Sequence, residues 1–257
     1  MNRSISILGS GWLGYPLALQ FVQKKYDVKT SSTTAERRDQ LRAIGTTPFV
    51  VDINTLTDEV DAFLQSETLV VNIPADSVEG HQALLKYISR SPIQNIILVS
   101  STSVYPNNIQ VATEDDDLPK SKRLSIEKVF TSNKRLNTTV LRFAGLVGYR
   151  RHPGLFFAGG RSLSNPTAPV NLIHRDDCIE IIYQIIRKQA WNQTFNCCAD
   201  THPTKIEFYT HAATLLNQPP PEVNDNQAGS NKTISNEKLK TTLKYKFIHP
   251  DLMKIEF

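Results

Sequence analysis

The amino-terminal segment constrains the fold of this chain more than any other part of its sequence. Ile5-Ser6-Ile7-Leu8 has the composition of a short buried strand, and residues 15–22 have that of a helix. Between them lies Gly9-Ser10-Gly11-Trp12-Leu13-Gly14, in which the three glycines suit, in order, a tight turn, close approach of a phosphate to the backbone, and close helix-to-sheet packing. Because a helix N-terminus attracts phosphate, the segment predicts a dinucleotide site. The alternative is a glycine-rich turn without a ligand.

Strand-like and helix-like segments alternate through the rest of the first 150 residues. Strands are predicted at 26–31, 48–52, 68–73, 95–100 and 138–143, and helices at 34–44, 58–65, 79–89 and 126–133. Near-continuous apolar strands that alternate with helices are typical of a parallel sheet covered on both faces. The sequence therefore predicts an α/β fold of the Rossmann type, with a doubly wound parallel sheet and an NAD(P)-binding domain over residues 1–150.

The pattern changes after residue 150. A loop or short strand is predicted at 154–169, helices at 176–188, 204–216 and 235–243, and a strand at 194–198. Ser235 is expected to cap the last helix. Residues 151–257 are therefore predicted to complete part of the sheet and to form a small α/β substrate lobe.

Composition limits the partners and the compartment. The net charge of +4 is mild and the basic residues are scattered, which suits an anionic small molecule rather than nucleic acid. Three cysteines, two of them adjacent, predict neither a disulfide framework nor a metal site, and they favour the reducing cytoplasm. The first strand begins almost at once, so we expect no removable signal peptide. We also expect no membrane association, because the sequence has no long apolar run.

The segment after the second predicted strand discriminates between NAD and NADP. NAD sites usually place an acidic residue about twenty residues beyond the glycines. Here Ser32 and Thr33 occupy that region, and Arg37 and Arg38 follow. A guanidinium binds phosphate bidentately, so NADP is preferred over NAD. The alternative for the arginines is a charged helix face.

Two further strand ends are predicted to line the cofactor. Asp52 can accept a hydrogen bond from the adenine amino group, with Ile53 packed on the ring. The alternative is that Asp52 caps the next turn. The backbone of Ile73 and Pro74 is expected to pass along the cofactor, although Pro74 can simply end the strand.

Four segments together resemble a known family. Residues 100–106 (S-S-T-S-V-Y-P), 141–148 (L-R-F-A-G-L-V-G), 171–177 (N-L-I-H-R-D-D) and 194–196 (T-F-N) are similar, in the same order, to motifs of the extended short-chain dehydrogenases/reductases. This is the NAD(P)-dependent sugar epimerase/dehydratase family, and the resemblance covers nearly the whole chain. It implies a Rossmann domain, hydride transfer and a homodimer, but it does not indicate a substrate.

In that family a serine or threonine four residues before the V-Y tyrosine binds the reacting oxygen, which implies this role for Ser101. The alternative is that Ser101 only ends its strand. The family's acid/base motif is Y-x-x-x-K, followed four residues later by Glu. Glu127 matches the Glu, but Arg123 then stands at the Lys position and Pro119 at the Tyr position. The chain therefore resembles the atypical subgroup that lacks the catalytic tyrosine.

Three other side chains are candidates to supply the missing proton. They are Tyr105, Lys122 and Tyr149. Tyr105 has the most suitable sequence position, with packing beside the nicotinamide as the alternative. Arg123 cannot act as an acid or base near neutral pH, but it can hold ribose or phosphate.

A basic segment follows the last predicted strand of the first domain. Tyr149, Arg150 and His152 are predicted to bind a phosphate or carboxylate of the substrate, and the alternative is a solvated loop. The sequence thus predicts an NAD(P)-dependent oxidoreductase or epimerase/dehydratase-like enzyme that acts on a small hydroxyl or carbonyl substrate. The alternative is a non-catalytic NADP(H)-binding sensor or scaffold.

Overall fold

The computed structural model describes residues 3–157, 161–224 and 231–255. In these residues the strands are β1 (Ser4–Leu8), β2 (Asp27–Ser32), β3 (Thr47–Val50), β4 (Thr68–Val71), β5 (Asn95–Ser101), β6 (Val111–Ala112), β7 (Asn137–Phe143), β8 (Gly145–Val147), β9 (Leu163–Ser164), β10 (Leu172–His174), β11 (Thr194–Cys197), β12 (Val223–Asn224) and β13 (Thr233–Ile234). The helices are α1 (Gly14–Gln23), α2 (Arg38–Ala43), α3 (Glu59–Phe63), α4 (Val78–Ile88), α5 (Lys122–Thr131), α6 (Arg175–Lys188), α7 (Lys205–Thr214) and α8 (Glu237–Leu243).

Seven strands form the main sheet in the order β11-β7-β5-β4-β1-β2-β3. The pairs β1–β2, β1–β4, β2–β3 and β4–β5 are parallel, with Ile5 opposite both Val28 and Thr68. The order reverses direction at β1, from β2 on one side to β4 on the other, and this reversal is the mark of a doubly wound fold. The predicted Rossmann-type fold is therefore confirmed, and β11 from the C-terminal region lies at one edge of the sheet.

The first of two compact units comprises Met1–Ser100, Lys120–Leu141 and Ile181–Thr194. The strands of this unit carry apolar side chains on both faces because helices cover both faces. Leu8, Leu69, Ile96 and Phe130 are among its fully buried core residues. This core fixes the strand ends from which the glycine loop projects.

The second unit comprises Ser101–Pro119, Arg142–Glu180 and Phe195–Phe257. It contains three two-stranded parallel pairs, which are β8 with β10, β9 with β12, and β6 with β13. Its core includes Val147, Leu172, Phe208 and Leu252. Both units are discontinuous in sequence, which differs from the predicted single boundary at residue 150.

Three predicted helices differ clearly from the structure, and the one predicted at 126–133 is α5, which begins four residues earlier at Lys122. The predicted helix at 34–44 is a 3₁₀ turn at Ala35–Arg37 followed by α2. The last helix begins at Glu237 rather than at 235, and Ser235 is not its N-cap. Asn236 occupies the N-cap position, and its side chain donates to Cys198 O and Asp200 Oδ1 at 2.8 and 2.9 Å. This anchor delays the start of the helix.

The structure bears on three other expectations. Among the described residues, no helix is both long and apolar enough to cross a membrane. Cys178, Cys197 and Cys198 are buried free thiols. In the loop predicted at 154–169, the structure places a 3₁₀ turn at Pro153–Leu155 and strand β9. Residues 158–160 of that loop lie outside the described residues.

Candidate functional site

The glycine loop between β1 and α1 is held by the ends of two neighbouring strands. Gly9 has a φ of 92°, a conformation that favours glycine. Its N–H donates to Ser31 Oγ, and its carbonyl oxygen accepts from Asn72 Nδ2, both at 3.0 Å. Ser31 and Asn72 were not among the predicted site residues, although both lie at the carboxyl ends of strands beside β1.

The three positions of the loop hold glycine for different reasons. A Cβ at Gly9 would collide with the carbonyl oxygen of Asn72, and a Cβ at Gly14 would collide with that of Gly9. A Cβ at Gly11 would meet no described atom within 4 Å, and Gly11 is exposed with an ordinary φ. Folding therefore requires Gly9 and Gly14 but not Gly11, and this is the pattern expected where a phosphate approaches the backbone.

Ser10 is a second sign that this loop fits an anionic ligand. Its side chain is only 2% exposed, and its hydroxyl has no hydrogen-bond partner among the described residues. Buried hydroxyls are normally hydrogen-bonded, so an unpartnered one calls for an explanation. Of the other predicted loop residues, Leu13 is buried in the core and Trp12 is half-buried.

The arginines after β2 have different partners. Arg38 donates to both carboxylate oxygens of Glu59, at 2.6 and 2.7 Å, whereas the one side chain to which Arg37 donates among the described residues is the neutral Gln40, at 3.3 Å. The N–H of Val50, together with Arg38, holds the pKa of Glu59 below its usual value. Arg38 is thus part of an ion pair within the fold, which leaves Arg37 as the better candidate for a 2′-phosphate.

The two hydroxyl residues that precede these arginines, Ser32 and Thr33, differ in their exposure to solvent. Ser32 is half-buried, and its hydroxyl donates to Thr34 O at 2.5 Å. Thr33 is exposed.

After β3, Asp52 has the role given as the alternative to adenine binding, which is to cap the next turn. Asp52 Oδ1 accepts from the N–H and the side-chain amide of Asn54, at 2.9 and 3.2 Å, and so closes the next turn. Ile53 is buried, and its side chain lies against Gly80. Ile73 lies beside Gly9, and Pro74 follows the end of β4. Ile73 is therefore better placed than Asp52 to border a ligand at the loop.

A buried hydrogen bond joins the end of β5 to helix α5. Ser100 Oγ donates to Glu127 Oε1 at 2.5 Å, and both side chains are buried. Helix α5 starts at Lys122 because Ser121 Oγ accepts from the N–H of Leu124. This start places Arg123 in the first turn, where it lines a small cleft with Ser100 and Glu127. In the sequence Glu127 is recognisable only as a motif match, and its partner Ser100 is 27 residues away.

Ser101, the first residue of the second unit, is the last residue of β5. Its Oγ accepts from the N–H of Ser103 at 3.1 Å and caps a 3₁₀ turn. Ser101 is half-buried. A serine hydroxyl has one donor and two acceptor sites, so this cap leaves the O–H able to donate to a ligand.

The hydroxyl of Tyr105 is enclosed by polar partners. It donates to Asn196 Oδ1 at 2.7 Å and accepts from Arg142 Nη1 at 2.9 Å. Burial raises the pKa of Tyr105, although Arg142 opposes the shift. A proton donor or acceptor needs a hydroxyl that reaches the substrate and a pKa near neutrality. The structure therefore favours a packing role for Tyr105 over proton transfer.

The predicted substrate-binding residues separate into two environments. Tyr149 is 51% exposed, and its hydroxyl donates to the two carboxylate oxygens of Asp176 at 3.0 and 3.1 Å. His152 instead caps the turn at Pro153–Leu155 and lines a surface pocket with His211. Arg150 is exposed. Tyr149 is thus hydrogen-bonded to a polar group that contains Asp176, whereas His152 lies in a separate surface pocket.

That polar group contains His174, Asp176 and His249, whose ligand-type atoms lie within 4.8 Å of one another. Burial and the nearby His249 lower the pKa of His174 to about 4, so its ring is neutral at neutral pH. Its Nδ1 accepts from the N–H of Asp176 at 3.3 Å. No metal site was predicted from the sequence, in which His249 is distant from His174 and Asp176.

The chain is similar in sequence and in fold to known proteins. No family model matches the sequence. Protein YeeZ of Escherichia coli (strain K12) is 29% identical over 267 aligned residues, which cover 97% of each chain.

Two solved structures are similar over almost their whole length. A candidate NAD-dependent epimerase/dehydratase from Methylobacillus flagellatus has a TM-score of 0.80 and 22% identity, over 98% of this chain and 95% of that one. A short-chain dehydrogenase/reductase superfamily protein from Agrobacterium tumefaciens, with bound NAD, has a TM-score of 0.77 and 19% identity, over 95% and 92%. The chain therefore has the fold shared by NAD-dependent epimerase/dehydratase and short-chain dehydrogenase/reductase proteins, as the motif resemblance predicts.

Proposed function

We propose that this chain is an NAD(P)-dependent oxidoreductase or epimerase/dehydratase-like enzyme that acts on a small hydroxyl or carbonyl substrate. The proposal rests mainly on the glycine at position 11. The fold does not require a glycine there, whereas a bound pyrophosphate would. The unpartnered hydroxyl of Ser10 in the same loop supports it. The similar Agrobacterium tumefaciens structure, which contains NAD, supports the class of cofactor.

The loop from Gly9 to Gly14 and the start of α1 would hold the pyrophosphate, with Ile73 beside them. N–H groups at the start of α1 and the helix dipole favour negative charge there. A nicotinamide, when bound, supplies hydride transfer to or from a carbon that carries a hydroxyl or carbonyl group. The chain's own contribution is to bind, orient and exchange a proton with the substrate.

Ser101 is the residue assigned to orient the substrate oxygen, because its O–H can still donate. For the proton, Tyr149, which is 51% exposed and donates to Asp176, is a better candidate than Tyr105, whose hydroxyl is enclosed by Asn196 and Arg142. Lys122, the third candidate, donates to Asp76 O at 3.2 Å. Arg123 remains a candidate to hold ribose or phosphate.

The first experiment is a titration of the cofactor-free protein with NADPH and with NADH, in which nicotinamide fluorescence monitors binding. Gly11→Val should abolish binding of both, because its side chain fills the space a pyrophosphate would need, while thermal unfolding of the cofactor-free variant stays close to wild type. Ser10→Ala should weaken binding about tenfold, since a hydrogen bond to a charged group contributes about 1.5 kcal/mol.

Two results would count against the proposal. Unchanged affinity in Gly11→Val would remove the dinucleotide site. Tight binding without oxidation of NADPH by any member of a panel of small carbonyl compounds would favour the sensor or scaffold. Turnover that falls in Ser101→Ala, with NADPH affinity retained, would support the enzyme.

The preference for NADP over NAD is tested by single substitutions in α2 and the turn before it. Arg37→Ala should weaken NADPH binding more than NADH binding, because only NADPH carries the 2′-phosphate. Arg38→Ala should lower stability as well, since it breaks the pair with Glu59. Arg42→Ala is the matched control, because Arg42 pairs with Asp39 on the exposed face. Equal losses for both nucleotides in Arg37→Ala would contradict the NADP assignment.

A further inference from the structure

Three potential metal ligands converge in the second unit from two segments that are distant in sequence. His174 ends β10 and Asp176 lies in the first turn of α6, whereas His249 lies close to the C-terminus. His174 Nδ1 and His249 Nε2 lie 3.5 and 3.6 Å from the same atom, Asp176 Oδ2. The two imidazole rings are 3.9 Å apart between centroids.

These distances are close to those of a tetrahedral metal site. With metal–ligand bonds of about 2.0–2.1 Å, neighbouring ligand atoms in a tetrahedron are about 3.3 Å apart. The two distances to Asp176 Oδ2 exceed that value by only a few tenths of an ångström, and all three ligand atoms lie within 4.8 Å of one another. Binding an ion would therefore require the two imidazole rings, whose centroids are 3.9 Å apart, to rotate so that their nitrogens converge beside Asp176 Oδ2.

The C-terminal segment that carries His249 is held in place by the residue next to Asp176. Asp177 accepts from the N–H groups of Ile248 and His249, at 2.7 and 3.0 Å, and from the hydroxyl of Tyr245 at 2.7 Å. Asp177 and His249 are 72 residues apart in sequence. The fold itself thus positions His249, which reduces the cost of assembling a site.

The surroundings of the group also fit a metal. Tyr149 donates to the carboxylate oxygens of Asp176, and such a contact orients a ligating carboxylate. The His174 side chain is 3% exposed, whereas those of Asp176 and His249 are 33% and 24% exposed. One side of the group is therefore closed by protein, and the other is open to a ligand from solvent.

The donor atoms select the kind of ion. The guanidinium of Arg175 lies 3.7 Å from the centre of the Tyr149 ring, and its positive charge opposes every nearby cation alike. Two imidazoles and one carboxylate suit zinc and similar ions, whereas magnesium prefers oxygen ligands and retains its water. Coordination by His174 Nδ1 would replace its long 3.3 Å contact with the N–H of Asp176.

We propose that His174, Asp176 and His249 form a binding site for one divalent transition-metal ion of the zinc type, with a fourth position open to solvent. Two imidazoles, one carboxylate and an open position are also the arrangement of several zinc sites that bind an exchangeable ligand. This assignment is separate from the proposed dinucleotide site, and its test needs no turnover.

The test consists of two titrations of the whole chain after a chelator has removed any metal. Zn²⁺ is titrated in competition with a chromophoric chelator, and Co²⁺ is titrated while visible absorption is monitored. One ion per chain should bind, Co²⁺ should show the intense absorption of a tetrahedral site, and Mg²⁺ should not compete. His249→Ala and Asp176→Asn should each weaken Zn²⁺ binding about 100-fold, and Tyr149→Phe about tenfold.

The control is His211→Ala, which removes an imidazole of the same unit that lies beside His152 instead. Its Zn²⁺ affinity should equal that of the wild type. Affinity that is equal in wild type and His249→Ala, or lost in His211→Ala, would overturn the assignment. Circular dichroism checks that His249→Ala is folded, and Asp176→Asn, which keeps the side-chain shape, provides the same test if it is not.

Discussion

The glycine loop of the first unit and the polar groups of the second unit are built in different ways. In the loop, backbone atoms are so close that Gly14 has no room for a Cβ beside Gly9. In the second unit, side chains that are far apart in sequence satisfy one another, as Tyr105 does with Asn196, 91 residues away. The first region is therefore sensitive to added volume, and the second is sensitive to the loss of a polar partner or a change of charge.

The largest effect is expected from adding one methyl group to the loop. Gly14→Ala should lower the free energy of unfolding by about 3 kcal/mol, because its Cβ meets the backbone of Gly9 rather than a movable side chain. Gly11→Ala, three residues earlier, should change it by less than about 0.5 kcal/mol. Urea unfolding of both variants without cofactor measures the difference, and equal losses would show that the fold requires both glycines.

A smaller effect is expected from removing one hydroxyl in the second unit. Tyr105→Phe should lower the free energy of unfolding by about 2 kcal/mol, because Arg142 and Asn196 each lose a buried partner. Tyr149→Phe is the matched control, and it should cost less than about 0.5 kcal/mol because Tyr149 is exposed. If the two variants have the same stability, the polar group around Tyr105 does not stabilise the second unit.

The smallest effects are changes with pH, and they should have opposite signs in the two units. Burial raises the pKa of Glu114, which accepts from the N–H of Asn196 at 2.7 Å. The unfolded carboxyl group ionises first as the pH rises, so Glu114 should reduce stability from about pH 4.5 upward until its folded pKa is passed. Glu114→Gln keeps the acceptor and should remove this decline.

In the first unit, His81 should act in the opposite direction. Burial lowers the pKa of His81, so the unfolded ring takes up a proton first as the pH falls. The stability that neutral His81 contributes is complete above pH 6.5 and should be lost progressively below it. Unfolding measured from pH 4 to 8 for wild type, Glu114→Gln and His81→Gln tests both signs. A wild-type profile that neither variant alters would show that other groups dominate.

Much of the fold could be predicted because its determinants are local. The strand before the loop, the loop itself and the helix after it lie within the first 23 residues, and the structure has β1 and α1 where they were expected. The alternation of apolar strands and helices likewise predicts the doubly wound sheet, because both periodicities appear in short windows of sequence. That position 119 is a proline can also be read from the sequence, although only the motif resemblance implies that a tyrosine would stand there.

The partners of polar side chains depended on the tertiary structure. Only the fold brings Glu59 to Arg38, 21 residues away, and so leaves Arg37 as the better phosphate candidate. Burial of Tyr105 and the meeting of His249 with His174 and Asp176 are likewise invisible in any short window. The physical reason is that steric demands act between chain neighbours, whereas hydrogen bonds and charges are satisfied by whatever the folded chain brings within about 3 Å.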